Sequence, residues 1–134
     1  MQTALIVALS LHILSSVFWA GTSFTLARTG GAGGEQLFRP QMGAAIIAIL
    51  TGAYLGHLVH AGAFGTAEKI LATGAFTALV AAGVQGAVGG RAIRSLRSGT
   101  VDEAAARSRI ATAQRIAAAL LAVTAVCMGA SRYV

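Results

Sequence analysis

Charge is what this sequence has least of. Only 10% of its 134 residues are charged, where a soluble domain carries about 25%. The deficit falls in blocks. No charged residue occurs in 1–27, 41–67 or 70–90, and 116–131 is again uncharged. Such runs exclude a soluble globular domain, because a spanning helix needs roughly 17–25 mostly apolar residues. The fourth run reaches that length through 110–114, provided that Arg115 snorkels to the interface. Acidic residues number four, Glu35, Glu68, Asp102 and Glu103, and none falls within an uncharged run. A carboxylate proton relay inside the membrane is thereby excluded. Proline occurs once, at Pro40, where the second run begins and a helix tolerates it best. The single cysteine, Cys127, excludes an internal disulfide.

What the sequence does have is alanine and glycine. It is 56% hydrophobic with 17 glycines, and its mean hydropathy is +0.75. Small residues of this kind suit helices that pack closely on each other. The expected fold is all-α: an integral membrane, antiparallel four-helix bundle in a single transmembrane domain, 1–134. Its helices are expected at about 3–27, 41–63, 68–92 and 105–131. Short connections make sequential helices neighbours. The first span has no Lys or Arg before its apolar core and that core continues past Phe24, so it reads as a retained helix and not a secretory signal. Asp102 or Thr100 is the expected cap of the last helix, with Glu103 in its first turn.

Topology follows from the cations. Arg28, Arg39, Arg91, Arg94, Arg97, Arg107, Arg109 and Arg115 lie on one side, against Lys69 and Arg132 on the other. The positive-inside rule then puts both termini outside, in the periplasm of a bacterial cell, with the chain in the inner (plasma) membrane. The formal net charge of +6 is explained by topology. Nucleic-acid binding would need a presented basic surface with reading groups beside it, and no such surface is encoded. Arg91, Arg94 and Arg97 recur every three residues and can touch anionic lipid or a partner. The glycine-rich "TGGAGG" at 29–34 lacks a following Lys-Ser/Thr, so it is not a phosphate-binding loop.

The polar residues inside the spans are the candidates for function. His12, His57 and His60 are the only histidines, and all three fall in expected helices. With the first helix starting outside and the second ending there, His12 lies roughly 14 Å deep and His57 and His60 roughly 9 and 5 Å deep. They are expected to converge in the outer half of the bundle. Two imidazoles facing each other can ligate a haem iron. His57 and His60, at i,i+3, share a helix face and can serve one metal. Gly52 and Gly56 form a small-xxx-small pair beside them, which either seats a second helix or leaves room for a flat porphyrin. The plain alternative is that the histidines only bond across an interface. His12, Ser16, Trp19 and Ser23 line one face of the first helix. Trp19 is there either as bundle packing or as a wall of a cofactor pocket. Gln85 is an expected interhelical hydrogen-bonder, and Gly86 and Gly90 form a second small-xxx-small pair. Cys127 and Met128, at the level of the histidines, complete a soft-ligand set of the sort that favours copper(I). Cys127 reads better as a small packing residue.

The segment 11–21, "LHILSSVFWAG", resembles the first helix of the CopD-like membrane proteins and of the related HemJ-like protoporphyrinogen oxidases. In those families a histidine near the outer end precedes a tryptophan and glycines, matched by His12, Trp19 and Gly21. The segment 50–57, "LTGAYLGH", resembles their Thr-Gly-aromatic segment through Thr51, Gly52 and Tyr54, and Lys69 stands where HemJ-like proteins also place a lysine. The resemblance covers about three helices. It implies a four-helix membrane domain that binds haem b or handles copper, with His12 the expected ligand. The connections are shorter than the family pattern and the helix 2 histidine pair departs from it; the charged residues are too few for porphyrinogen oxidation, so that activity is not carried over. Three functions are thus expected: a haem b-binding electron-transfer protein, as the anchor of a redox complex; a cofactor-free accessory subunit, in a homo-oligomer or larger complex; or a copper-handling protein. The expected sites are His12, His57 and His60 for metal, with Ser16, Trp19, Gly52 and Gly56 around the cofactor.

Overall fold

A computed structural model describes residues 1–62 and 64–134. The chain is all helical among these residues. Helix α1 is Gln2–Arg28, α2 is Gly34–Val59, α3 is Thr66–Val84, α4 is Gly90–Arg97 and α5 is Glu103–Ala130. A π turn, Gln85–Gly89, joins α3 to α4 without a break, so that Thr66–Arg97 forms one span of 32 residues. Four helices are therefore long and apolar enough to cross a membrane. The expected end of the second helix at Ala63 lies outside the described residues; the helical residues of α2 run to Val59.

All four spans start earlier than expected, the second by the most. The second helix begins at Gly34, seven residues early, with Pro40 inside it. A proline there forfeits its bond to the carbonyl four residues back, that of Gln36. Both Pro40 and Gln36 are exposed, so the unpaired carbonyl is near the surface. The glycines before it set the entry: Gly30, Gly31 and Gly33 all have positive φ, which turns the chain through five residues. The last helix begins at Glu103, and Asp102 caps it by accepting from the Ala105 N–H at 2.7 Å.

The interior is built from small residues. Ala44, Ala45, Ala48, Ala78, Ala81 and Ala117 cluster around Trp19 and Leu121. Large apolar side chains face outward instead, among them Leu14, Val17, Ile46, Leu50, Phe76 and Val126. This reverses the arrangement of a water-soluble bundle. An apolar exterior of this extent is stable only against lipid, while an alanine interior lets backbones approach closely and gain dispersion contacts. The chain is thus a small four-helix integral membrane protein.

Sequence order does not set the packing partners. α2 packs chiefly on α1, α3 chiefly on α5, and α1 joins the two pairs through α5. α2 and α3 touch only sparsely, although they are consecutive. α5 is the central helix, because 44% of its most apolar stretch is buried against 17% for α1 and α2. Its broad face of Ala106, Ile110, Ala111, Ala113, Gln114, Ala117, Ala118, Leu121 and Thr124 supplies that burial. Buried positions in α2 stop at Ala48 and those in α3 begin at Gly74. Towards the α2–α3 turn these two helices therefore contribute few buried positions to the interior.

Candidate functional site

His12 projects from α1 onto α2. Its Nδ1 lies 2.9 Å from the Ala48 carbonyl oxygen and 3.2 Å from Thr51 Oγ1. A carbonyl oxygen can only accept, so Nδ1 carries the proton and donates. Thr51 spends its own proton on the Ile47 carbonyl at 2.6 Å, which leaves its oxygen free to accept as well. In a neutral ring the lone pair then sits on Nε2. No hydrogen-bond partner for Nε2 is found among the described residues. The ring lies over Gly52: a Cβ added there would come within 2.9 Å of His12 Cε1. Gly52 is thus the residue that lets the imidazole lie against the α2 backbone. The first glycine of the small-xxx-small pair is used inside the molecule, and the second, Gly56, faces open space.

The other two histidines take different roles. His60 follows the last helical residue of α2, and its Nδ1 lies 2.9 Å from Glu68 Oε1. The same carboxylate accepts the Gly65 N–H at 2.8 Å through Oε2. Glu68 therefore caps its own helix and ties it to the end of α2. His57 is exposed. It is six residues beyond Thr51, roughly 9 Å further along the helix. His12 is level with neither histidine of the second helix, although all three stay in the half of the bundle away from the arginine-rich end. Part of the reason is helix length: α2 stops at Val59, and the point level with His12 is Ala48–Thr51 and not His57.

No group of three or more His, Cys, Asp or Glu that could hold a metal ion is present among the described residues. Cys127 packs instead beside Gly74, where an added Cβ would meet Cys127 Cβ at 3.0 Å. Met128 is at the exposed margin. The soft-ligand set proposed from sequence is not assembled. Ser16 is half-buried, and its neighbour Ser15 is the buried serine, donating to the Leu11 carbonyl at 2.6 Å.

A different constellation fills the centre, towards the arginine-rich end. Trp19 Nε1 donates to Gln85 Oε1 at 2.6 Å. Gln85 Nε2 donates to Ser23 Oγ at 2.7 Å and to Gln114 Oε1 at 2.8 Å. Gln114 and Gln41 exchange amide bonds, at 2.9 Å from Gln114 Nε2 and 3.1 Å from Gln41 Nε2. Gln41 also reaches Ser23 at 3.2 Å, and Ser23 donates to the Trp19 carbonyl at 2.8 Å. Each of the four spans contributes, and all the side chains are buried. No buried side-chain nitrogen or oxygen among the described residues lacks a partner. The π turn begins at Gln85, which is how one extra residue in the helix coincides with an inward-pointing amide. Trp19 is therefore part of this lock. Gln85 is the interhelical bonder the sequence indicated. Gln41 and Gln114 were not foreseen, since one marked a helix start and the other the edge of an apolar run. Their signal was an uncharged amide near the arginine-rich end in each of the second, third and fourth spans.

The seam of Gly86 and Gly90 is also internal. Added Cβ atoms would lie 3.8 Å from Met42 Sδ and 3.4 Å from Phe38 Cζ, both on α2. No family model, curated protein or solved structure matches the chain.

Proposed function

We propose that this membrane protein binds haem b through His12 and serves electron transfer, as the anchor of a redox complex in the bacterial inner membrane. The observation that carries the reading is the state of the His12 ring. Its Nδ1 proton is committed to the Ala48 carbonyl, and the Nε2 lone pair has no protein partner among the described residues. A ligating histidine typically fixes its tautomer in this way, by donating the other ring N–H to a backbone carbonyl. Haem held by a single proximal histidine needs no second imidazole, so the separation of His12 from His57 and His60 is compatible with it. The resemblance to the CopD-like and HemJ-like proteins singles out the same histidine. When bound, haem would supply one-electron chemistry at iron. Thr51 and the Ala48 carbonyl would orient the imidazole, and Gly52 would give it room.

The proposed topology is antiparallel with both termini on the outer side. Two pairings support it: His12 with Ala48 and Ser23 with Gln41 on α1 and α2, and Thr77 with Thr124 and Gln85 with Gln114 on α3 and α5. In each, one number rises as the other falls. The cation count sets which end faces the cytoplasm.

Protein purified from haem-replete cells is expected to show a Soret band at close to one haem per chain, and His12→Ala is expected to remove it. Less than a tenth of that haem content would sink the proposal. A second reading, a cofactor-free accessory subunit, is favoured by the glutamine lock. Such a core serves as rigid packing whatever the cofactor. Colourless protein that co-purifies in stoichiometric complex would decide for it.

A further inference from the structure

The arginine-rich end carries a partly open cavity of about 340 Å³ between α2 and the π turn and α4. Its rim holds Arg39, Arg94 and Arg97, and its wall includes Phe38, Gly90 and Ile93. Arg39 and Arg94 have no acidic partner within ion-pair distance among the described residues. Arg97 pairs with Glu35 through Nε alone, at 3.2 Å. Its two terminal nitrogens remain available. Three guanidinium groups around one recess, with a single carboxylate against them, leave the site net positive. The floor is apolar for a reason visible in the backbone: Gly90 has no side chain, and Phe38 packs into the space. The recess therefore sets three exposed cations beside an apolar lining, near the arginine-rich end of the spans.

We propose that this recess binds one anionic phospholipid. The phosphate would be held by Arg39, Arg94 and Arg97. Guanidinium groups suit phosphate because they present paired N–H donors to its oxygens. An acyl chain would lie against Phe38 and along the gap where α2 and α3 touch sparsely. A soluble phosphate would use the arginines but gain nothing from that floor. The inference rests on the membrane-spanning bundle and is independent of any haem.

The test uses the full chain in neutral detergent, titrated with phosphatidylglycerol, phosphatidylcholine or inorganic phosphate, and reads thermal stability. Phosphatidylglycerol is expected to raise the melting temperature saturably, and the other two to leave it unchanged. The double variant Arg39→Gln/Arg94→Gln is expected to need about 30-fold more phosphatidylglycerol, at roughly 1 kcal/mol per arginine near a phosphate surface. Both residues are exposed and unpaired, so the variant should fold, which its melting temperature without lipid checks. Arg28→Gln/Arg109→Gln removes two cations that do not line the cavity, and is expected to keep the wild-type titration. Equal weakening in both double variants would overturn the site in favour of diffuse attraction. Equal stabilisation by inorganic phosphate would overturn the lipid, and equal stabilisation by phosphatidylcholine would overturn the arginines' role.

Discussion

Replacing Gln85 with leucine is expected to destabilise the bundle by about 2–4 kcal/mol. The substitution nearly conserves volume, so packing alone would cost little. What it removes is three hydrogen bonds: from Trp19 Nε1, to Ser23 Oγ and to Gln114 Oε1. Interhelical bonds in membranes average about 0.6 kcal/mol each, because the separated helices find other partners. The two that Gln85 donates give about 1 kcal/mol together. The remainder comes from the Trp19 N–H, which is left buried with no acceptor in reach, a loss of about 1–3 kcal/mol. Ser23 retains its bond to the Trp19 carbonyl, and Gln114 retains Gln41, so the damage centres on the indole. Trp19 is the only tryptophan. Its emission should shift to the blue as the N–H loses its acceptor, and unfolding in mixed micelles gives the stability. Gln36→Leu, at an exposed position of α2, is expected to stay within about 0.5 kcal/mol of wild type. If the two variants lose the same stability, the glutamine network is not what holds the helices together.

That network also marks where the sequence could be read and where it could not. The four spans were legible because lipid imposes a length and an absence of charge on each, and both survive in a one-dimensional string. Gln85 was legible as an amide within an apolar run. Its partners were not, since a hydrogen bond between residues 41 and 114 depends on which helices touch. Loop lengths suggested neighbours in chain order. The structure instead places α5 at the centre, and the cause is a broad alanine face that hydropathy scores no differently from a lipid-facing one. The histidines were misplaced relative to each other for a simpler reason. A four-residue difference in where the second helix ends accounts for about 6 Å of the separation between His57 and the level of His12, which lies at Ala48 and Thr51. Depth counted along a helix inherits every error in its ends.

The glycine-rich turn offers the sharpest separation between conformational and steric cost. Gly30 and Gly31 both have positive φ, at 66° and 83°. An added Cβ at Gly30 would meet nothing within 4 Å, whereas at Gly31 it would lie 2.5 Å from the Arg107 carbonyl oxygen and 3.2 Å from the Ala111 nitrogen. Gly30→Ala therefore bears only the left-handed penalty, about 1–2 kcal/mol. Gly31→Ala bears that penalty and a collision with backbone, and a total of about 2–5 kcal/mol is expected. The obstacle cannot rotate away, because it belongs to the first turns of α5. Arg107→Ala should accordingly give no rescue. Gly34 provides the contrast: its added Cβ would lie 2.7 Å from Ile110 Cγ2, a side-chain atom. Shortening Ile110 to alanine should recover part of the loss in Gly34→Ala. Melting temperatures in one detergent should thus rank Gly30→Ala above Gly31→Ala, with rescue at Gly34 alone. Equal losses at Gly30 and Gly31 would mean that the turn does not rest on α5. The loop's glycines would then serve only to reverse the chain, and not also to bring α2 onto the central helix.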